Sequence, residues 1–165
     1  MNYSSTVGNA GRLNHSDFWD KFNEYARADG RFLNVFQSLH NCKESRYEFT
    51  IGQNCTHIAL TRYLRNNNIL IEFHTYDKEL FDRLYQRRDI IEYQLDLILQ
   101  WRRMDDRRKT TICYKKIFYN NDTFEYIFDW LIENAIKFKE VFSTHAELDT
   151  YNRLITARWR ENRGR

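Results

Sequence analysis

The sequence predicts an α+β domain in which helices pack on an antiparallel sheet of about five strands. The elements follow the order αβββαββα, with a further helix at the C-terminus. Two observations predict this. Apolar residues alternate with period two in three runs between residues 46 and 73, and they recur every three or four residues near both ends of the chain. The length of 165 residues suits one domain.

The first helix is predicted from one apolar face. Asn14 or Ser16 provides the N-cap, and Gly30 provides the C-terminal stop. The apolar face consists of Phe18, Trp19, Phe22, Tyr25 and Ala26. A short second helix is indicated by Phe32, Phe36 and Leu39.

Three strands come next, starting at Arg46, His57 and Ile69. Residues 52–54 and the Asn-rich residues 66–68 are turn signals, since glycine and asparagine tolerate left-handed backbone conformations. Strands joined by such short turns should pair as an antiparallel meander.

Asp77 caps a predicted helix whose core face runs from Leu80 to Leu95, and a hairpin of residues 97–101 and 109–119 follows. A long helix then begins at Asn121 or Asp122. Residues 144–147 form a Thr-x-x-Glu capping box, which predicts a break and a new final helix. The expected organisation is a disordered tail at 1–14, an α+β domain at 15–143 and a basic amphipathic helix at 144–165.

Composition is typical of a globular protein, with 42% hydrophobic, 16% aromatic and 30% charged residues. No apolar run approaches 18 residues, and the N-terminus lacks the pattern of a signal peptide. Three cysteines in such a chain favour reduced thiols, and we expect a cytoplasmic location without a membrane partner. Residues 14–143 carry 20 basic and 20 acidic side chains, which argues against a general nucleic-acid coat.

Several of these segments together resemble the prokaryotic domain-of-unknown-function family 4268 (DUF4268). The segments are Phe18 and Trp19 with Phe22 and Tyr25, and residues 47–52, 69–73, 78–84, 97–101 and 138–142. The resemblance covers about residues 15–143. It implies a domain that stands alone or lies C-terminal to domains resembling restriction nucleases, and hence a DNA-related or defence-related context. It assigns no catalytic residue.

A cluster of cations around the predicted hairpin is the strongest functional feature of the sequence. Long cationic side chains contact phosphates, and a two-stranded ribbon can straddle a DNA groove. The alternative is a solvated hairpin tip paired with acids. The predicted nucleic-acid-binding residues are Arg83, Arg87, Arg88, Arg102, Arg103, Arg107, Arg108, Lys109, Lys115 and Lys116. The leading hypothesis is therefore a non-catalytic accessory domain that associates with DNA.

The C-terminal helix suggests a second hypothesis, a protein-interaction or dimerisation module that regulates another protein. Its apolar stripe is surrounded by arginines, and it could dock on its own domain, pair with a second copy or meet another protein. The stripe includes Leu148, Leu154, Ile155 and Trp159.

Two metal-dependent alternatives are weaker, and no metal or cofactor is predicted. Paired His and Cys residues suit zinc, but a one-residue gap is shorter than the usual spacing. That set is His40, Cys42, Cys55 and His57. A nuclease site could use Glu48, Glu72 and His74, although histidine stands where restriction-type nucleases place lysine. The plain alternative is a polar, half-solvated sheet face, and a binding domain is favoured over an enzyme.

Overall fold

The computed structural model describes residues 13–40, 42–51, 56–104 and 109–163. Arg107, Arg108 and Cys55 of the predicted sites lie outside these ranges, as do residues 1–12 of the predicted tail. The helices are α1 (His15–Asp29), α2 (Arg31–Phe36), α3 (Lys78–Gln86), α4 (Arg88–Leu95) and α5 (Phe124–Arg163). The strands are β1 (Arg46–Thr50), β2 (His57–Tyr63), β3 (Asn68–Thr75), β4 (Gln100–Arg102) and β5 (Thr110–Ile117).

The five strands form one antiparallel sheet in the order β1-β2-β3-β5-β4. The first three pair as the predicted meander, with Phe49 opposite Ile58 and Ile58 opposite Phe73. Strand β5 pairs with the other side of β3, so β3 lies at the centre and all of its residues are buried. The predicted α+β architecture is confirmed.

One face of the sheet carries the hydrophobic core. Side chains alternate between the faces of a strand, so Phe73, Leu60 and Ile112 point to the same side. All five described helices pack there. Phe142 of α5 stacks on Phe73 with ring centroids 4.4 Å apart. Phe81 of α3 packs edge-to-face against Trp101 of β4, with ring centroids 6.1 Å apart. We call this the covered face.

The opposite face of the sheet carries no helix within the described ranges, and we call it the open face, although its central side chains, among them those of Glu72, His74 and Cys113, are buried. Its residues are mostly polar, and they occupy the alternate positions of the strands. By register they are Arg46, Glu48 and Thr50 on β1; His57, Ala59, Thr61 and Tyr63 on β2; Asn68, Leu70, Glu72 and His74 on β3; Gln100 and Arg102 on β4; and Thr111, Cys113, Lys115 and Ile117 on β5.

Helix α1 is tied to β1 by a buried polar network. The Tyr47 hydroxyl donates to Asn23 Oδ1 at 2.8 Å and accepts from the His40 backbone N–H at 2.6 Å. Asn23 Nδ2 donates to the His40 carbonyl at 2.9 Å, which closes the ring of contacts. Burial raises the pKa of Tyr47 to about 12, so the hydroxyl keeps its proton.

The N-terminal caps follow the sequence prediction. Asn14 accepts from the Asp17 backbone N–H at 2.8 Å, and Asp77 accepts from that of Leu80 at 2.9 Å. Gly30 ends α1 with φ +80°, a left-handed conformation that a side chain disfavours.

Two helix boundaries differ from the prediction. The helix predicted from Asp77 to Leu95 divides at Arg87, whose backbone leaves the helical region at φ −106° and ψ 12°. The predicted break at Thr144 does not occur. Helix α5 is continuous over 40 residues. Thr144 Oγ1 donates back to the Glu140 carbonyl at 2.8 Å instead of capping a new helix. Residues 124–163 contain neither glycine nor proline to stop the helix.

Helix α5 is long enough to cross a bilayer but too polar to do so. No other helix in the described ranges combines the length and the apolar character of a membrane span either.

Candidate interaction surfaces

The cations of the β4–β5 hairpin lie on different sides of the molecule. Arg103 forms a two-pronged contact with Asp82 of α3, with nitrogen–oxygen distances of 2.6 and 3.1 Å. These hydrogen bonds hold the pKa of the Asp82 carboxyl below its usual value and raise the pKa of Arg103. Lys116 alternates to the covered face, where it is half-buried. Both side chains therefore point away from the open face.

Three other hairpin cations share the open face. Arg102 lies opposite Thr111, Lys115 lies opposite Leu70, and Lys109 has the same parity as Lys115. Arg102 Nη2 donates to Gln100 Oε1 at 2.6 Å. Within the described ranges, none of the three forms an ion pair with a carboxylate. We call Arg102, Lys109 and Lys115 the open-face cations.

The arginines of α3 and α4 belong to a further region. Arg83 lies 3.6 Å from Glu79, and Arg87 Nη1 donates to the His145 carbonyl of α5 at 3.5 Å. Arg88 is exposed and lies 4.8 Å from the centre of the Tyr85 ring. The eight described residues of the predicted nucleic-acid site are thus divided among several surfaces, and binding of nucleic acid by the whole set stays a prediction.

The polar centre of the open face is a hydrogen-bonded cluster. His57 of β2 stacks on His74 of β3 with ring centroids 4.8 Å apart. His57 Nε2 lies 3.7 Å from Glu48 Oε1, and His74 Nε2 lies 3.7 Å from Glu72 Oε1. The order Glu48, His57, His74, Glu72 therefore places two imidazoles between two carboxylates.

Hydroxyl groups fix the buried half of this cluster. Thr61 Oγ1 donates to Glu72 Oε2 at 2.5 Å, and Thr111 Oγ1 lies 3.0 Å from His74 Nδ1. Burial alone would raise the pKa of Glu72, but the nearby His74 ring and the hydrogen bond from Thr61 outweigh it and hold that pKa below its usual value. Burial, and then the neighbouring His74, lower the pKa of His57.

The structure thus brings together the three residues of the nuclease hypothesis, together with His57, which the sequence did not connect with them. Their donor atoms do not converge on one point. In the described part of the chain, no three His, Cys, Asp or Glu side chains are arranged to hold a metal ion.

The two histidines of the zinc hypothesis lie on different sides of the sheet. The His40 ring packs against Tyr47 and Phe49 on the covered side, at 5.6 and 5.5 Å, whereas His57 lies on the open face. Cys42 Sγ donates to the carbonyls of Glu44 and Arg46 at 3.3 and 3.0 Å. His40 and His57 therefore cannot bind one ion.

The C-terminal part of α5 forms a different kind of surface. Among the helix residues whose side chains are described, Phe142 and His145 are the last buried ones, and those after Ala146 are exposed. Residues 147–163, which we call the projecting segment, extend about 25 Å at 1.5 Å per residue. Leu154 is 65% exposed and Ile155 is 44% exposed. Leu148 and Trp159 are helical at the backbone, but their side chains lie outside the description.

The fold and these surfaces define the class of protein: an α+β domain with one helix-covered sheet face, one open polar face and a projecting helix. The chain belongs to the DUF4268 family of domains of unknown function, whose family model matches residues 14–146. The resemblance recognised in the sequence is confirmed.

No curated protein sequence matches the chain. The crystal structure of YbjN from E. coli, whose proposed role is transcription regulation, is similar with a TM-score of 0.49 and 13% identity. The match covers 76% of this chain and 92% of YbjN.

Proposed function

We propose that this chain is a protein-interaction domain that pairs with a second copy of itself through the projecting segment. The observation that carries the proposal is the exposure of Leu154 and Ile155 on a helix that continues past the domain core. An aliphatic side chain gains about 1.5–3 kcal/mol when it moves from water into a packed interface. A helix that leaves such side chains in water is therefore stabilised by a partner that covers them.

The spacing of the apolar residues suits another helix as the partner. Leu148 and Ile155 are seven residues apart, and Trp159 follows four residues later, which places the three positions on one side of the helix. Such a stripe is the pattern by which two helices pack along their length.

The charges of the segment favour a second copy in antiparallel orientation. Glu147 and Asp149 stand at its start, whereas Arg158, Arg160 and Arg163 stand towards its end; Arg153 lies between the two groups, and Glu161 is the one acid near the end. In an antiparallel pair the start of one helix lies beside the end of the other. Opposite charges then meet at both ends, which stabilises this orientation over the parallel one.

Light scattering of the full chain tests this surface. We expect a dimer that Ile155→Glu converts to a monomer, because a carboxylate would be buried in the interface. Ile117→Glu is the matched control, since Ile117 is 50% exposed on the open face. A dimer that survives Ile155→Glu, or that Ile117→Glu dissociates, would remove the proposed interface.

Nucleic-acid binding is a second candidate function. It is supported by three cations on the open face, Arg102, Lys109 and Lys115, that form no ion pair with a carboxylate of the described residues. Phosphate groups are the ligands that such side chains attract, and the attraction weakens steeply with salt. The link to prokaryotic restriction or defence, and the cytoplasmic location, stay predictions from the sequence.

Fluorescence anisotropy with labelled DNA tests this candidate. Changing all three open-face cations to alanine should abolish most binding and flatten its salt dependence. Lys21→Ala is the control, because Lys21 is an exposed cation on α1, at the covered face. If the triple variant binds like the unchanged chain, the open-face cations do not hold nucleic acid.

A further inference from the structure

The open face combines its cations with exposed aromatic rings. Tyr63 is at the end of β2, beside Asn68 and Ile117, and it is 48% exposed. Tyr76 directly follows β3, is about half exposed, and its ring centroid lies 6.4 Å from that of His57. The two tyrosines therefore flank the polar centre of the face, one at each end of the sheet.

The open-face cations run along the β4–β5 side of the same face. Lys109 and Lys115 are six residues apart, which is about 20 Å at roughly 3.4 Å per strand residue. Arg102 lies opposite Thr111, between these two positions. The cations thus form a line along β5, while the tyrosines lie towards β2 and the ends of β3.

The balance of charge on this face also favours an anion. Among the described residues of the face, Arg46, Arg102, Lys109 and Lys115 accompany Glu48 and Glu72, which leaves two positive charges in excess. Arg46 pairs with Glu48, and Glu72 is buried with Thr61 and His74 as its neighbours. The line along β5 consequently keeps its positive charge.

We propose that the open face binds single-stranded nucleic acid, with the sugar–phosphate chain along β5 and unpaired bases against Tyr63 and Tyr76. Cations that follow a backbone and aromatic rings on which bases stack are the two components of single-strand binding without sequence preference. In a duplex the bases are paired and stacked on one another, so the tyrosines would gain no such contact. The proposal rests on the second candidate function and narrows it to one class of ligand.

The test compares one fluorescent oligonucleotide of mixed sequence, as a single strand and annealed to its complement, on the full chain at two salt concentrations. The single strand should bind more tightly. Tyr63→Ala and Tyr76→Ala should each weaken single-strand binding by roughly 5- to 150-fold, the range measured when a base loses its stacking partner. Tyr63→Phe should retain binding, because a phenyl ring still stacks.

Two further variants test whether binding depends on the open face or on nonspecific contacts elsewhere on the chain. Tyr93→Ala removes the most exposed of the described tyrosines, which lies on the solvent side of α4, a helix of the covered face, and it should leave binding unchanged. Lys115→Ala should reduce the slope of log affinity against log salt by about 0.7 for each lost phosphate contact. Circular dichroism of each variant identifies any loss of fold, and Tyr63→Phe provides a variant that keeps the aromatic packing.

The outcomes distinguish single-strand binding from the binding of nucleic acid in general. Equal binding of duplex and single strand, with loss of both in the triple cation variant, would overturn the single-strand proposal and leave nucleic-acid binding standing. The absence of binding to either form would overturn both. Single-strand binding that is unaffected by both tyrosine-to-alanine changes would overturn the assignment to the open face.

Discussion

The two parts of helix α5 differ in what surrounds them, although they belong to one continuous helix. In residues 124–146, Ile127, Leu131, Phe138 and Phe142 are almost completely buried against the sheet and α1. In the projecting segment, Leu154 and Ile155 are exposed although they are just as apolar. The first part stabilises the domain, whereas the second leaves apolar area exposed in the described part of the chain.

The largest expected effect on the free energy of unfolding comes from a substitution in residues 124–146. Phe142→Ala should lower the free energy of unfolding by about 3–5 kcal/mol, because it removes the ring that stacks on Phe73 and leaves a cavity. Urea denaturation followed by circular dichroism measures this. A loss below about 1 kcal/mol would mean that α5 is not integral to the core.

A smaller effect on stability, one that depends on pH, is expected at His145, where the two parts of the helix join. Burial, and then the charge of Arg87, lower the pKa of His145 from 6.5, and its Nε2 lies 2.9 Å from Gln94 Oε1. Protonation therefore favours the unfolded state. The stabilising contribution of the neutral ring is complete above pH 6.5 and is lost as the pH falls through the lower folded-state pKa.

Thermal unfolding at a series of pH values detects this contribution. The melting temperature should fall below pH 6.5 more steeply for the unchanged chain than for His145→Gln, which cannot be protonated. Parallel pH profiles for the two proteins would show that His145 does not couple protonation to folding.

The solvent-exposed side of residues 124–146 should contribute less to the free energy of unfolding than His145 does. Lys137 Nζ lies 2.8 Å from Glu133 Oε1, one helical turn away, and both side chains are about half exposed. Exposed pairs of this spacing contribute about 0.3–0.5 kcal/mol. Glu133→Gln should lower stability by that amount at low salt and by less at high salt, as measured by urea denaturation. A loss above about 1 kcal/mol would indicate a contact beyond this pair.

The smallest effect on the stability of the monomer is expected for a substitution in the projecting segment. Leu154→Ala should change the unfolding free energy of the monomer by less than about 0.5 kcal/mol, because an exposed side chain loses few contacts. If the proposed dimer forms, the same change should also destabilise concentrated samples. Denaturation at two protein concentrations checks both statements, and a large loss at the lower concentration would place Leu154 in the domain core.

Much of the fold follows from local patterns. The period-two runs predicted β1, β2 and β3, and the side-chain caps at Asn14 and Asp77 are where the sequence indicates them. The break predicted at Thr144 was wrong, since a hydroxyl that can cap a helix can also bond within one, as Thr144 does. The kink at Arg87 carries no glycine or proline signal.

The sites depend on information that a sequence lacks. Whether Lys115 or Lys116 points to the open face is decided by the strand register, because a shift by one residue exchanges the faces. The contact of Arg103 with Asp82 joins residues that are far apart in the chain. The grouping of His57 with Glu48, His74 and Glu72 likewise arises only when three strands pair.

Sedimentation equilibrium of the unmodified full chain tests the central claim most directly. The chain has a mass of 20.3 kDa. Pairing through the projecting segment predicts a concentration-dependent approach to twice that mass, and Ile155→Glu should hold the mass at the monomer value. A constant mass of 20.3 kDa for the unmodified chain at all concentrations would contradict the proposed interaction function.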